Sequence, residues 1–176
     1  MRKPVTEPVV REFMRAIAAE AREPGRIYLA GGASVVLKHW RNSTVDIDIT
    51  IIPENDRILR AIPSLKERLQ VNVELSSPTH FVPPLPGWED RCAFIIREGV
   101  IDFHHFDFYT QALSKIERAH RKDLLDVDAM IRNGFVQPRR LLTLFEEVEG
   151  ELYRYPSPHP PALRAAVERL ASAALQ

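Results

Sequence analysis

Ala30-Gly31-Gly32-Ala33-Ser34, with thirteen residues between Gly32 and the start of Asp46-Ile47-Asp48, is the stretch on which the reading of the fold turns. The short apolar run Ile27-Tyr28-Leu29-Ala30 ends at Gly31-Gly32, and Ser34 to Trp40 reads as helical, so the order is strand, glycine turn, helix. From Val45 to Ile52 the pattern alternates. Val45, Ile47, Ile49 and Ile51 take one face, and Asp46, Asp48 and Thr50 the other, which predicts a strand with a polar side.

Upstream, Val9, Val10, Phe13, Met14, Ile17, Ala18 and Ala21 recur at helical spacing before the Pro24-Gly25 stop. Downstream, Pro53-Glu54-Asn55-Asp56 can start a helix bearing Ile58, Leu59, Ile62, Leu65 and Leu69, in which Pro63 predicts a kink or break. Val71 to Ser76 alternates again, with Asn72, Glu74 and Ser76 on its polar side. A proline-rich loop spans 78–90, and a hairpin around Arg97-Glu98-Gly99 adds two strands. Tyr109 to Ile131 is the longest helical pattern, stopped by Asn133-Gly134, and a further helix is predicted over 138–148. Tyr155 to Pro161 reads as an extended linker to a short helix at 162–175, an appendage or half of an interface. The class is α/β (α+β), a mixed sheet flanked by helices.

The 176 residues are 45% hydrophobic and 27% charged, which excludes disorder and coiled coil. Lys plus Arg number 24 and so do Asp plus Glu, leaving no global field for a polyanion or a membrane surface. Nucleic-acid contact must therefore use a local patch. A lone cysteine, Cys92, excludes an internal disulfide framework and makes the cytoplasm the default compartment. The start, Met1 to Pro8, lacks the apolar run of a signal peptide, and no apolar stretch long enough for a bilayer occurs, so no membrane partner is expected.

Glycines at a strand-to-helix turn let backbone approach a ligand, free N–H groups beyond them can bind phosphate oxygens, and Ser34 adds a hydroxyl donor. Asp46 and Asp48, two apart on a strand, project from one face, and their hard oxygens suit Mg²⁺, which also coordinates substrate phosphates. Glu74 is the expected third carboxylate and Asp102 the alternative. Two ions about 4 Å apart would activate an attacking hydroxyl and stabilise a leaving pyrophosphate. The chemistry implied is phosphoryl or nucleotidyl transfer.

In the second half, Lys115, Arg118, Lys122 and Asp126, inside the long helix, fall within an arc of roughly 80°. They form one polar stripe, in which Lys122 pairs with Asp126, while Asp123 projects at its margin and needs a partner. Residues 113–140 hold seven Lys or Arg against four Asp or Glu, a local excess of three. His104 and His105, adjacent on a strand, point to opposite faces and read as ordinary packing. Trp88 reads as a loop anchor, and Cys92 as a small buried residue.

The order hydrophobic-Gly-Gly, helix, Asp-x-Asp resembles the signature of the DNA polymerase beta-like nucleotidyltransferase superfamily. Ala30 to Ser34 and Arg41 to Ile49 look like the small bacterial nucleotidyltransferases related to abortive-infection (AbiEii-like) toxins of type IV toxin–antitoxin systems. The resemblance covers roughly residues 26 to 135. It implies that Gly31, Gly32 and Ser34 hold a nucleoside triphosphate and that Asp46 and Asp48 hold metal. Lys115, Arg118, Asp123, Asp126 and Val127 resemble the C-terminal helical motif of these families, with Lys122 where arginine commonly precedes the first aspartate. By that resemblance Lys115 neutralises nucleotide phosphates, and Asp123 and Asp126 complete the site or brace its basic residues. It also implies a tRNA or RNA acceptor and a cognate antitoxin or toxin partner. A small-molecule or protein acceptor, or a non-catalytic antitoxin of this fold, are the alternatives. The expected organisation is a catalytic domain over 1–108, a helical region closing the cleft over 109–150, and a linker with terminal helix over 151–176.

Overall fold

A computed structural model describes residues 3–173. In chain order the elements are α1 (Glu7–Ala18), β1 (Gly25–Ala30), α2 (Gly31–Leu37), β2 (Asp46–Ile52), α3 (Asp56–Leu69), β3 (Asn72–Leu75), β4 (Phe94–Glu98), β5 (Ile101–His105), α4 (Phe108–Arg118), α5 (Arg121–Arg132), α6 (Pro138–Val148) and α7 (Pro160–Ala173). All five expected strands are present. They form one mixed sheet in the order β3-β2-β1-β5-β4. β1 runs antiparallel to β2 and parallel to β5, β2 is parallel to β3, and β4 closes a hairpin on β5. A mixed sheet with these helices is consistent with a nucleotidyltransferase-like α+β fold. No described helix is long and apolar enough to cross a membrane.

The chain forms two compact units, each built from two pieces: the chain up to Ser77 with Cys92–Phe106, and Pro78–Arg91 with the chain from Asp107 onward. In the first, the alternation of β1, β2 and β5 sends Ile27, Leu29, Ile47, Ile49, Ile101 and Phe103 to one side, where they are buried. Against them pack Val10, Phe13, Met14 and Ile17 of α1 and Ile58, Ile62 and Leu65 of α3. Each such side chain contributes roughly 1.5–3 kcal/mol by burial. The opposite side of the sheet keeps the polar residues.

Pro63 does not break its helix: α3 runs unbroken from Asp56 to Leu69. Interior proline costs ~3 kcal/mol. The buried face of Ile58, Ile62 and Leu65 offsets this, together with the Asn55 side chain, which accepts from the N–H groups of Arg57 and Ile58.

In the second unit the expected long helix over 109–131 is two helices. Ala119 adopts φ 55° at the end of α4, and α5 starts afresh at Arg121. Lys115 donates from Nζ to Asp123 at 3.1 Å and to Asp126 at 2.7 Å. In one continuous helix Asp126 would lie about 16 Å along the axis from Lys115, out of reach. Folding back forms this pairing and offsets the roughly 1–2 kcal/mol cost of a left-handed alanine. The polar stripe is therefore dissolved: Asp126 faces Lys115 instead of Lys122, and Lys122 is exposed.

Asp107 begins α4 fully buried, accepting from the N–H groups of Tyr109 and Thr110 and from the Thr110 hydroxyl. Arg91 meets it in a fork, Nε at 3.0 Å and Nη2 at 2.8 Å. The 162–175 segment is no loose appendage. α7 packs on α6 and α4 through Leu163, Val167 and Ala171, and Arg164 forks onto Glu149. Residues 174–175 of that expected helix, like Met1 and Arg2, lie outside the described residues.

Candidate active site

β2 presents Asp46 and Asp48 on its polar face, and parallel pairing sets Asn72 of β3 opposite Asp46 and Glu74 opposite Asp48. Like charges directly across a ladder repel. Asn72 donates both amide N–H groups, one to Asp46 at 2.6 Å and one to Glu74 at 2.9 Å, and so links these two carboxylates. Glu74 itself is exposed.

On the other flank, Ala30 of β1 is the register partner of Asp48, which brings the glycine turn to the same place. Gly31 has φ +57°, a backbone conformation that disfavours any side chain. A Cβ built on Gly31 would collide with the Asp48 carboxylate, and one built on Gly32 would collide with the Thr44 hydroxyl. The turn and the acidic strand thus touch only because both positions lack side chains.

Ser34 is placed differently from expectation. It is wholly buried in α2, and its hydroxyl shares a 2.7 Å hydrogen bond with His105 Nδ1. Ser34 thus braces the turn from inside instead of offering its hydroxyl to a ligand. Burial, reinforced by Lys38 and His104, pushes the His105 imidazole down to about 3, so this partner is neutral near pH 7. His104 and His105 do point to opposite faces, as strand geometry requires: His104 rings face Tyr28 and Phe94.

Asp102 is not a third carboxylate for this place. It is in register with Arg26, four residues along β1 from Ala30, roughly 13 Å away, and it forks onto Arg97 at 2.6 and 2.8 Å. That hydrogen-bonded guanidinium holds its carboxyl below the usual range.

In the helical unit Lys115 is buried to 5% side-chain exposure between Asp123 and Asp126. Arg118, 40% exposed, donates to Asp123 at 2.9 Å and lies over the Phe81 ring. Two cations thus match two carboxylates. The bracing function among the two implied for these aspartates is what their contacts describe.

Asp46 and Asp48 offer hard oxygens on one face, a donor set that fits Mg²⁺, which takes one or two protein carboxylates and fills its shell with water and phosphate oxygens. Among the described residues no three His, Cys, Asp or Glu side chains are gathered to hold a metal. Asp46 and Asp48 by themselves would leave most of the shell of such an ion to other ligands. Asn72 and Thr44 were missed as contributors by sequence reasoning. Asn72 was legible on the polar side of its strand, but its two carboxylate partners were not. Nothing in the sequence marks Thr44 as a neighbour of Gly32.

Comparison with protein families matches residues 9–155 to a family described as a nucleotidyltransferase of unknown function, DUF6036. No curated protein and no solved structure matches the chain significantly. The matched span contains the glycine turn, the Asp46-x-Asp48 strand and the helices carrying Lys115, Asp123 and Asp126, well over half of the sequence. The chain belongs to the DUF6036 nucleotidyltransferase family.

Proposed function

We propose that this chain is a Mg²⁺-dependent nucleotidyltransferase that moves a nucleoside monophosphate from a nucleoside triphosphate to an acceptor hydroxyl, releasing pyrophosphate. The observation that carries the reading is the contact between the Gly31 turn and the Asp48 carboxylate. It sets a place where backbone can approach phosphate beside a place where carboxylates can hold a cation. Magnesium, when bound, supplies charge neutralisation at the phosphates and lowers the pKa of the attacking hydroxyl.

Asp46 and Asp48 are the metal ligands in this reading. Glu74 positions Asp46 through the shared Asn72 amide and is the carboxylate available to a second ion. Gly31 and Gly32 admit the triphosphate, and Ser34 with His105 holds the turn still. Lys115, Asp123, Asp126 and Arg118 form a charge-balanced brace that fixes α4 against α5. The acceptor hydroxyl attacks the α-phosphorus, the bond to the bridging oxygen of pyrophosphate breaks, and the hydroxyl proton passes to solvent or to a site carboxylate.

An RNA end, that of a tRNA included, is the favoured acceptor, supported by the resemblance and by the local basic excess of residues 113–140. A toxin–antitoxin setting with a cognate protein partner is the biological context this implies. The test incubates the protein with each labelled nucleoside triphosphate, Mg²⁺ and total cellular RNA or protein, alongside Asp46→Ala and Asp48→Ala. Label entering RNA, lost in both variants, is the expected result. Label entering protein reassigns the acceptor, and no label in any fraction leaves a non-catalytic interaction protein of this fold.

A further inference from the structure

The segment ahead of α1 reaches the candidate site through its main chain. Val5 is wholly buried in the core of the first unit, and it forms an isolated antiparallel bridge with Thr44, in which each N–H donates to the other residue's carbonyl oxygen at 2.9 Å. Two residues earlier, the Lys3 N–H donates to the Gln70 carbonyl oxygen at 3.2 Å. Residues 3–5 thus clip two loops at once. Thr44 stands two residues before Asp46, the first residue of β2, and Gln70 two residues before Asn72, the first residue of β3. Asp46 and Asn72 are register partners whose side chains meet at 2.6 Å.

Both clipped loops turn through strained backbone. The one from α2 to β2 passes through His39 at φ 60°, and the one from α3 to β3 through Gln70 at φ 57°, left-handed conformations that are unfavourable for residues with side chains. Among the described residues, the bridge to Val5 is the only strand-like pairing the first loop makes before β2 begins. Glu7 of α1 adds a side-chain contact to His39 at 3.3 Å, but His39 is mostly exposed, and pairs at such positions contribute little. The main-chain bridge is the stronger hold.

The held residue abuts the glycine turn. The Thr44 hydroxyl fills the space in which a side chain on Gly32 would begin, as the Asp48 carboxylate does at Gly31. Thr44 and Asp48 therefore flank the same turn, with Asp46 midway between them along the chain. Moving Thr44 moves the start of β2 relative to that turn, and the Asp46 carboxylate with it. We propose that residues 3–5 are a positioning arm for the acidic pair, setting through Thr44 and Gln70 the spacing of Asp46 from the glycine turn and from Asn72. The arm supplies no ligand of its own. It rests on the proposed transferase reading for what the carboxylates hold.

The test uses the full chain and compares Val5→Pro, which removes the N–H donated to Thr44 and keeps an apolar residue, with Val10→Ala, which thins the same core from α1 and leaves the bridge intact. Binding of Mn²⁺ alone is read from the loss of its free electron-spin resonance signal, and binding of ATP, GTP, CTP and UTP with Mg²⁺ by calorimetry. Both are measured at a temperature where circular dichroism shows each variant folded. The expected result is that Val5→Pro weakens Mn²⁺, and any triphosphate the parent binds, by about tenfold or more, as loss of a supporting contact around a metal site does. Val10→Ala should bind like the parent despite a lower melting temperature. If Val5→Pro does not fold, Lys3→Pro replaces it: the position is exposed, and the change removes only the bond to Gln70 and a positive charge. Losing that charge would by itself favour a cation, so weaker Mn²⁺ binding supports the arm and parental binding overturns it. Parental affinity in Val5→Pro, or an equal loss in Val10→Ala, would also overturn the arm and leave the transferase reading standing. A parent that binds neither Mn²⁺ nor any triphosphate sinks that reading, and the arm with it.

Discussion

The Asp48 carboxylate occupies the space in which a side chain on Gly31 would begin. Gly31→Ala therefore meets two penalties, a collision with a carboxylate and a left-handed backbone at φ +57°. Gly134, at φ +76° with nothing within 4 Å, meets only the second. Gly31→Ala should abolish nucleotide transfer and lower stability by more than Gly134→Ala, for which about 1 kcal/mol is expected. Urea unfolding of the two variants, beside the labelling assay, checks the difference. Equal losses would mean that the contact is unimportant.

Asn72→Ala removes the amide that separates Asp46 from Glu74. A stability loss of about 1–2 kcal/mol at low salt is expected, shrinking as ionic strength screens the freed carboxylates. Denaturation at two salt concentrations measures it. A loss that does not respond to salt would point to packing instead.

Lys115→Met leaves Asp123 and Asp126 with a buried charge deficit. The expected cost is roughly 3–5 kcal/mol, far above that of Lys122→Met at an exposed position, which should lie within ~0.5 kcal/mol. Asp123→Asn combined with Asp126→Asn should restore part of the stability lost by Lys115→Met. If all three changes proved additive, the ion network would not be a unit.

His105 gives the protein an acid sensitivity of predictable sign. Its folded value is pushed down to about 3 from an ordinary 6.5, so below pH 6.5 the unfolded chain takes up a proton that the folded one refuses. Stability from this group is intact above pH 6.5 and falls with acidification through the window down to about 3. Between pH 6.5 and 5 the loss is about 1.6 kcal/mol. His105→Gln, which can still bond Ser34, should show a correspondingly shallower decline between those two conditions in urea titrations.

The sheet was readable because two strands announce themselves by alternation, one by an apolar run ending at glycines and two by the turn between them, and Asp46-x-Asp48 by standing on the polar side of an alternating strand. The helical half was less so. Apolar spacing runs through residues 113–127 without glycine or proline, so nothing local marks the turn at Ala119. The signal is the long-range pairing of Lys115 with Asp126, which only the folded chain reveals. Pro63 does not break its helix, since a local penalty was outweighed by tertiary burial. Ser34 illustrates a third limit: a small polar residue reads the same whether it faces ligand or core, and its partner His105 lies far along the chain. Of the candidate site, the residues joined by strand register were legible, and the orientation of those on helices was not.

Because the segment Pro78–Arg91 is threaded into the second unit while the strands on either side of it belong to the first, neither half can be excised by a single cut. Truncation after Phe106 would strand Arg91, whose buried acid partner Asp107 would be gone, and would leave a dangling loop in the middle of an otherwise intact sheet. Minimal versions of this fold must therefore be made by replacing that loop as well as trimming the end.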